Sequence, residues 1–271
     1  MPSNSNWFLQ FFNDEEDDYT YNKDIRSKPC NIPKVFVNMV YLINSSNGAV
    51  SDDQCNRMVE AINIQLESFC EDWSMKPVIV ARSVSPPSGS YQIILTSDSQ
   101  YTIPGAFGYH MRPLADGTVK AYISVNAILP TGTTTTPNGV LNATGVNGGS
   151  VSKVVSHELL EMLINPGGNK SYFANMTNLT IKPVDASGKS ISGVIQIIAE
   201  VGDAVSKGSY IIITSDSTRV QVSDYVLPSW FSEVGKAPFN YNNTLQGPFL
   251  LSTGGYYEKD TTDGIYSINF L

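Results

Sequence analysis

A chain of 271 residues, 41% of them hydrophobic and 15% charged, has enough apolar material for a substantial core in one large domain or two small ones. Its formal net charge of -8 excludes a protein that works by neutralising phosphates, so nucleic acid is not expected as a partner. Much of that charge sits in one run, Asp14, Glu15, Glu16, Asp17 and Asp18, and no stretch of about 18 or more apolar residues predicts a membrane span.

Residues 1–33 read as an acidic, partly disordered N-terminal arm. WFLQFF (7–12) is apolar enough to dock on the chain's own body or on another molecule, whereas NDEEDDYTYNKD is too charged to fold alone. The opening residues lack the basic and long apolar regions of a secretory signal, which predicts a cytoplasmic or particle-associated protein. Cys30, Cys55 and Cys70 are an odd number at spacings that match no zinc or redox motif, and free thiols are expected.

The body begins with KVFVNMVYLI (34–43), a β-branched strand. A helix follows, opened by a Ser51/Gln54 capping box and striped by Met58, Ile62, Ile64, Leu66 and Phe69. PVIVAR (77–82), YQIILT (91–96) and VKAYISVNAI (119–128) read as further strands, and PGAFGYH precedes the last of them. A long Gly-, Thr- and Asn-rich loop (130–149) leads to a second helix, roughly 151 to 164, capped by Ser150 or Ser152 and stopped by Asn165-Pro166-Gly167-Gly168. Beyond it GVIQIIAEVGD (193–203), SYIIIT (209–214) and RVQVSDYVLPSWF (219–231) are β-rich. This order predicts an α/β (α+β) chain with one mixed sheet in residues 34–166, a β-rich part in 167–257, and a tail at 258–271.

The second helix reads VVSHELLEMLINP (154–166). Residues four apart share a helix face, so His157 and Glu161 can reach one ion. Glu158 emerges on an apolar flank, where it suits general-base work. This is the logic of the zinc-peptidase pattern His-Glu-x-x-His with a carboxylate in place of the second imidazole. Zinc accepts carboxylate oxygen, although oxygen ligands also make other divalent cations more competitive. An ordinary amphipathic helix would give the same short pattern. What counts against that is a helix apolar almost all round, whose charged groups must be satisfied inside the protein. A third ligand is sought in AEVGDAV, where Glu200 ranks above Asp203 because it lies within the apolar run. His110 is a candidate catalytic residue facing substrate or an oxyanion, a role that Tyr256 and Tyr257 also fit; a metal ligand and, in an inert site, a packed histidine are its alternatives.

Taken together, GAFGYH (105–110), SHELLEMLINP (156–166), EVGD (200–203), YVLPSWF (225–231) and PFLLSTGGY (248–256) resemble the segments of a group of uncharacterised, mostly bacterial zincin-like proteins. The early helix, with AINIQLESFCEDW (61–73), is similar as well, so the likeness runs in order from about 34 to 257. The resemblance implies a zincin-like domain over 34–257, with an active-site helix on which His157 and Glu161 are metal ligands and Glu158 the general base. Both Glu200 and Asp203 fall in the matched segment, and the third ligand stays open between them. The longer loop at 130–149 and the acidic arm depart from the group's pattern.

Two functions follow. One is a zinc metallopeptidase that hydrolyses a peptide or protein substrate, Glu158 taking the proton from the attacking water while the 119–128 strand receives the substrate by edge pairing. The other is a non-catalytic structural or binding protein on the same fold, for example an assembly or virion component, forming a homo-oligomer or assembly through its N-terminal arm.

Overall fold

The computed structural model describes residues 39–103, 105–129, 137–142, 149–179, 184, 189–261 and 264–269. The arm expected at 1–33, with Cys30, and most of the 130–149 loop lie outside them. The first half is strand β1 (Met39–Ser45), helix α1 (Asp52–Asp72), then strands β2 (Ile79–Arg82), β3 (Tyr91–Thr96), β4 (Gly108–His110) and β5 (Val119–Ser124). They form a five-stranded sheet in the order β2-β1-β3-β5-β4. β1, β2, β3 and β5 run parallel, while β4 pairs antiparallel with β5 at the edge. The chain is thus mixed α/β with a mixed sheet, of the α+β kind.

Two expectations change here. The 119–128 segment is a strand only to Ser124, and Val125–Ile128 is a single helical turn, α2. β5 is also interior, flanked by β3 and β4, so it offers no free edge; the edge nearest the second long helix is β4. Sheet order is a long-range property that strand propensity does not encode.

α1 is closed at its start by the Ser51/Gln54 capping box. Its buried face is Cys55, Met58, Ala61, Ile62, Gln65, Leu66, Phe69 and Cys70, whereas Ile64 is exposed. Two residues turn a helix by about 200°, which carries Ile64 away from the face of Ile62. Cys55 and Cys70 are free, buried thiols, and burial raises Cys55 to about 11, so it is an inert packing residue.

After the turn α3 (Pro137–Val140) comes helix α4 (Val151–Ile164). Its N-cap is Ser150, whose side chain accepts from the Lys153 N–H at 3.2 Å. All of its residues except His157 and Leu163 are buried. Serines fasten it to strand β9 (Arg219–Ser223): the Ser152 hydroxyl donates to the Gln221 carbonyl at 2.6 Å, and the Ser156 hydroxyl accepts from the Ser223 N–H at 2.6 Å. On its other side α4 packs on β4 and β5.

The second half adds β6 (Ser171–Asn175), β7 (Val194–Ile198), β8 (Ser209–Ile213), β10 (Tyr256–Thr261) and β11 (Gly264–Asn269). β11-β10-β7-β6 form an antiparallel sheet, and β8 pairs with β9. The residues expected as a tail from 258 therefore belong largely to a hairpin, and β10 joins β7 through Lys259 and Ile197. The VLPSWF stretch ends in a 3-10 turn (Pro228–Phe231) whose Trp230 and Phe231 enter the core. Phe69 of α1 meets Tyr225 edge-on at 4.9 Å and Trp73 meets Phe231 at 5.9 Å, so residues before and after 166 share one apolar core.

Candidate metal centre

The fold converges on a buried cluster of ionisable groups. α4 supplies His157, Glu158 and Glu161; β4 supplies His110; the turn after β7 supplies Glu200 and Asp203; β10 supplies Tyr256 and Glu258. All six candidate residues from the sequence, His110, His157, Glu158, Glu161, Glu200 and Asp203, thus come together.

His157 stands at the centre. Its Nε2 lies 3.3 Å from Glu161 Oε1 and 3.3 Å from Asp203 Oδ1. Its Nδ1 faces the Ser223 hydroxyl at 3.5 Å, and that hydroxyl donates its own proton to the Asp224 carbonyl at 2.8 Å. Ser223 is therefore left as an acceptor, which favours the proton on Nδ1 and turns the Nε2 lone pair towards the two carboxylates. A lone pair facing two anionic oxygens requires positive charge between them, either a proton or a cation.

Glycine makes the geometry possible at two places. A Cβ on Gly202 would lie 2.4 Å from His157 Nδ1, so only glycine allows the imidazole to rest against that backbone. The Gly202 N–H in turn donates to Glu161 Oε1 at 3.1 Å. A Cβ on Gly108 would lie 2.9 Å from Glu158 Cγ and Oε1, so the edge strand touches the Glu158 carboxylate directly. Glu158 Oε2 is 3.5 Å from His110 Nδ1.

Glu200 is held differently. Its Oε1 accepts from Asn165 Nδ2 at 3.2 Å, while Oε2 is buried with no hydrogen-bond partner among the described residues. Asn165, the C-cap of α4, is itself fixed by the Lys170 N–H at 2.8 Å and also accepts from the His110 ring through its backbone carbonyl. Distance groups the ligand atoms in two overlapping sets, each within 4.8 Å: His157, Glu158 and Glu161, and His110, Glu161 and Glu200. Asp203 is in neither set, but its Oδ1 lies 3.3 Å from His157 Nε2. Glu200 therefore belongs with His110, and Asp203 is the acidic residue of the EVGD segment that reaches His157.

The electrostatics reflect the crowding. Burial, then the charges of Asp203, Glu200 and Glu158, push Glu161 well above the usual carboxylate range. Burial raises Glu200 to about 7 and Glu258 to about 8, although His110 opposes both shifts. Burial by itself would lower His110, but its bond to Glu158 and the charges of Glu200 and Glu158 outweigh this and raise it to about 9. His157 follows the same pattern: burial pulls it down and Asp203 more than compensates. The charge of Asp203, with burial, holds the Tyr256 phenol protonated as the donor to Asp203.

Sequence reasoning missed Glu258, Asn165 and the two glycines. Tyr256 and Glu258 are two apart on a strand and so face one side, towards the cluster, while Tyr257 points into the core and donates to Met176 Sδ at 3.2 Å. That alternation was the signal available in YYEKD, and it removes Tyr257 from the site.

Comparison with protein-family models, with curated proteins and with solved structures returned no match.

Proposed function

We propose that this protein is a metal-dependent hydrolase of the metallopeptidase type, with a zincin-like arrangement of edge strand and active-site helix. His157, Glu161 and Asp203 would hold a divalent cation, zinc by preference, and Glu158 would act as general base. The observation that carries this reading is the pair of 3.3 Å separations from His157 Nε2 to the two carboxylates. Ligand bonds of about 2.0–2.2 Å in tetrahedral geometry put neighbouring ligand atoms roughly 3.3–3.6 Å apart. The residues fit the ion in donor type, in the distance of each carboxylate from His157 Nε2, and in the Ser223 contact that orients the imidazole from behind.

A bound zinc ion supplies Lewis acidity, which polarises a substrate carbonyl and makes water more acidic. Glu158 lies beside the edge strand, where it can take a proton from the attacking water and return it to the leaving amine. His110, 3.5 Å from Glu158 and bound to the Asn165 carbonyl, stands beside that carboxylate and limits its movement. Tyr256 orients Asp203. The substrate class follows from β4: as the outermost strand it can pair with an extended peptide and carry it past Glu158.

The test is Glu158→Gln, assayed on an unstructured protein such as casein and on a peptide library, alongside its zinc content. Loss of hydrolysis with zinc retained supports the general base. Equal hydrolysis by the variant removes it, and wild-type protein that binds zinc but cleaves nothing favours the structural role.

A further inference from the structure

We propose that the cluster accommodates two divalent cations: beside the one at His157, a second lies between His110, Glu161 and Glu200, with Glu161 shared by both. This rests on the reading of His157, Glu161 and Asp203 as the first site. One ligand atom each from His110, Glu161 and Glu200 already lies within 4.8 Å of the others. Glu161 belongs to both sets, and a carboxylate has two oxygens with which to bridge.

The orphaned Glu200 oxygen is the independent sign. Glu200 is 8% exposed, and its Oε2 has no hydrogen-bond partner among the described residues. A buried anionic oxygen without a partner is costly, and in a native structure it calls for a missing proton or ion. Its other oxygen is fixed by Asn165, so the carboxylate is aimed rather than free to turn. The His110 ring is oriented by its hydrogen bond to the Asn165 backbone carbonyl, and a cation here would take the place of the proton between its Nδ1 and Glu158, 3.5 Å apart.

A pair of cations sharing a carboxylate is an established hydrolytic arrangement, in which both the attacking and the leaving oxygen are stabilised.

The experiment is metal stoichiometry on the full chain. Protein stripped with a chelator is reloaded with zinc, freed of excess by gel filtration and measured by mass spectrometry of the metal. A parallel sample takes manganese for electron paramagnetic resonance. Two zinc ions per chain and a spin-coupled manganese pair are expected. Glu200→Gln and His110→Gln should each hold one zinc and show an uncoupled manganese signal. One zinc in the wild type overturns the second site and leaves the first intact. Two zinc ions in the wild type and in both variants place the second ion elsewhere and also overturn it. No zinc at all overturns the first site as well. The wild-type count stands even if one variant fails to fold.

Discussion

Gly202→Ala probes the site without touching a ligand. Its Cβ would sit 2.4 Å from His157 Nδ1 and 2.6 Å from Cε1, where the closest ordinary contact is about 3.4 Å. The imidazole must therefore retreat by roughly 1 Å, and towards Glu161 and Asp203 there is little room, since Nε2 is already 3.3 Å from each. Displacing a ligand through its supporting contacts costs about 10- to 100-fold in metal affinity, or roughly 1.4–2.7 kcal/mol. The metal-free variant should also lose about 1–3 kcal/mol of stability through overpacking. Zinc affinity measured by competition with a chromogenic chelator, with urea unfolding of the metal-free proteins alongside, separates the two effects. Unchanged zinc affinity in a folded Gly202→Ala protein would refute the claim that His157 Nε2 is held for a cation.

Three further outcomes are expected. Ser156→Ala removes the buried acceptor of the Ser223 N–H and should destabilise the protein by about 1–3 kcal/mol in urea unfolding, because that donor is left unpaired. Tyr256→Phe deletes the donor to Asp203 and should weaken zinc binding by about 10-fold in the same chelator competition, with little effect on the melting temperature of the metal-free protein. Lys153 is buried, and burial, only partly offset by Asp224, lowers it to about 8. Between about pH 8 and the unfolded value near 10.5 the unfolded chain binds more protons, so this group's contribution to stability should rise with pH there, by on the order of 3 kcal/mol. Subtracting the unfolding profile of Lys153→Met isolates that rise, and a flat difference between the two proteins would count against it.

The parts legible in the sequence are those set by local chemistry. The Ser150 cap, the Asn165-Pro166-Gly167-Gly168 stop and the four-residue spacing of His157 and Glu161 depend only on neighbours in the chain, and α4 has the expected bounds. The parts that were hidden depend on pairing across the fold. GYH gave no strand signal, because three residues with one glycine show no period, yet register with β5 turns His110 and Gly108 towards α4. Glu200 outranked Asp203 on apolar context, but the chain leaves β7 at Ile198, and the turn that follows delivers Asp203 to His157 and Glu200 to Asn165. Glu258 was assigned to a tail because nothing local shows that β10 closes onto β7. Asn165 read as a helix stop and is also the residue that ties Glu200 and His110 together.

The most direct test is a crystal structure of zinc-loaded protein with anomalous data collected on both sides of the zinc absorption edge. The account predicts a peak about 2.0–2.2 Å from His157 Nε2 and from one oxygen each of Glu161 and Asp203. An ordered site with no peak, its imidazole simply hydrogen-bonded to both carboxylates, would contradict it.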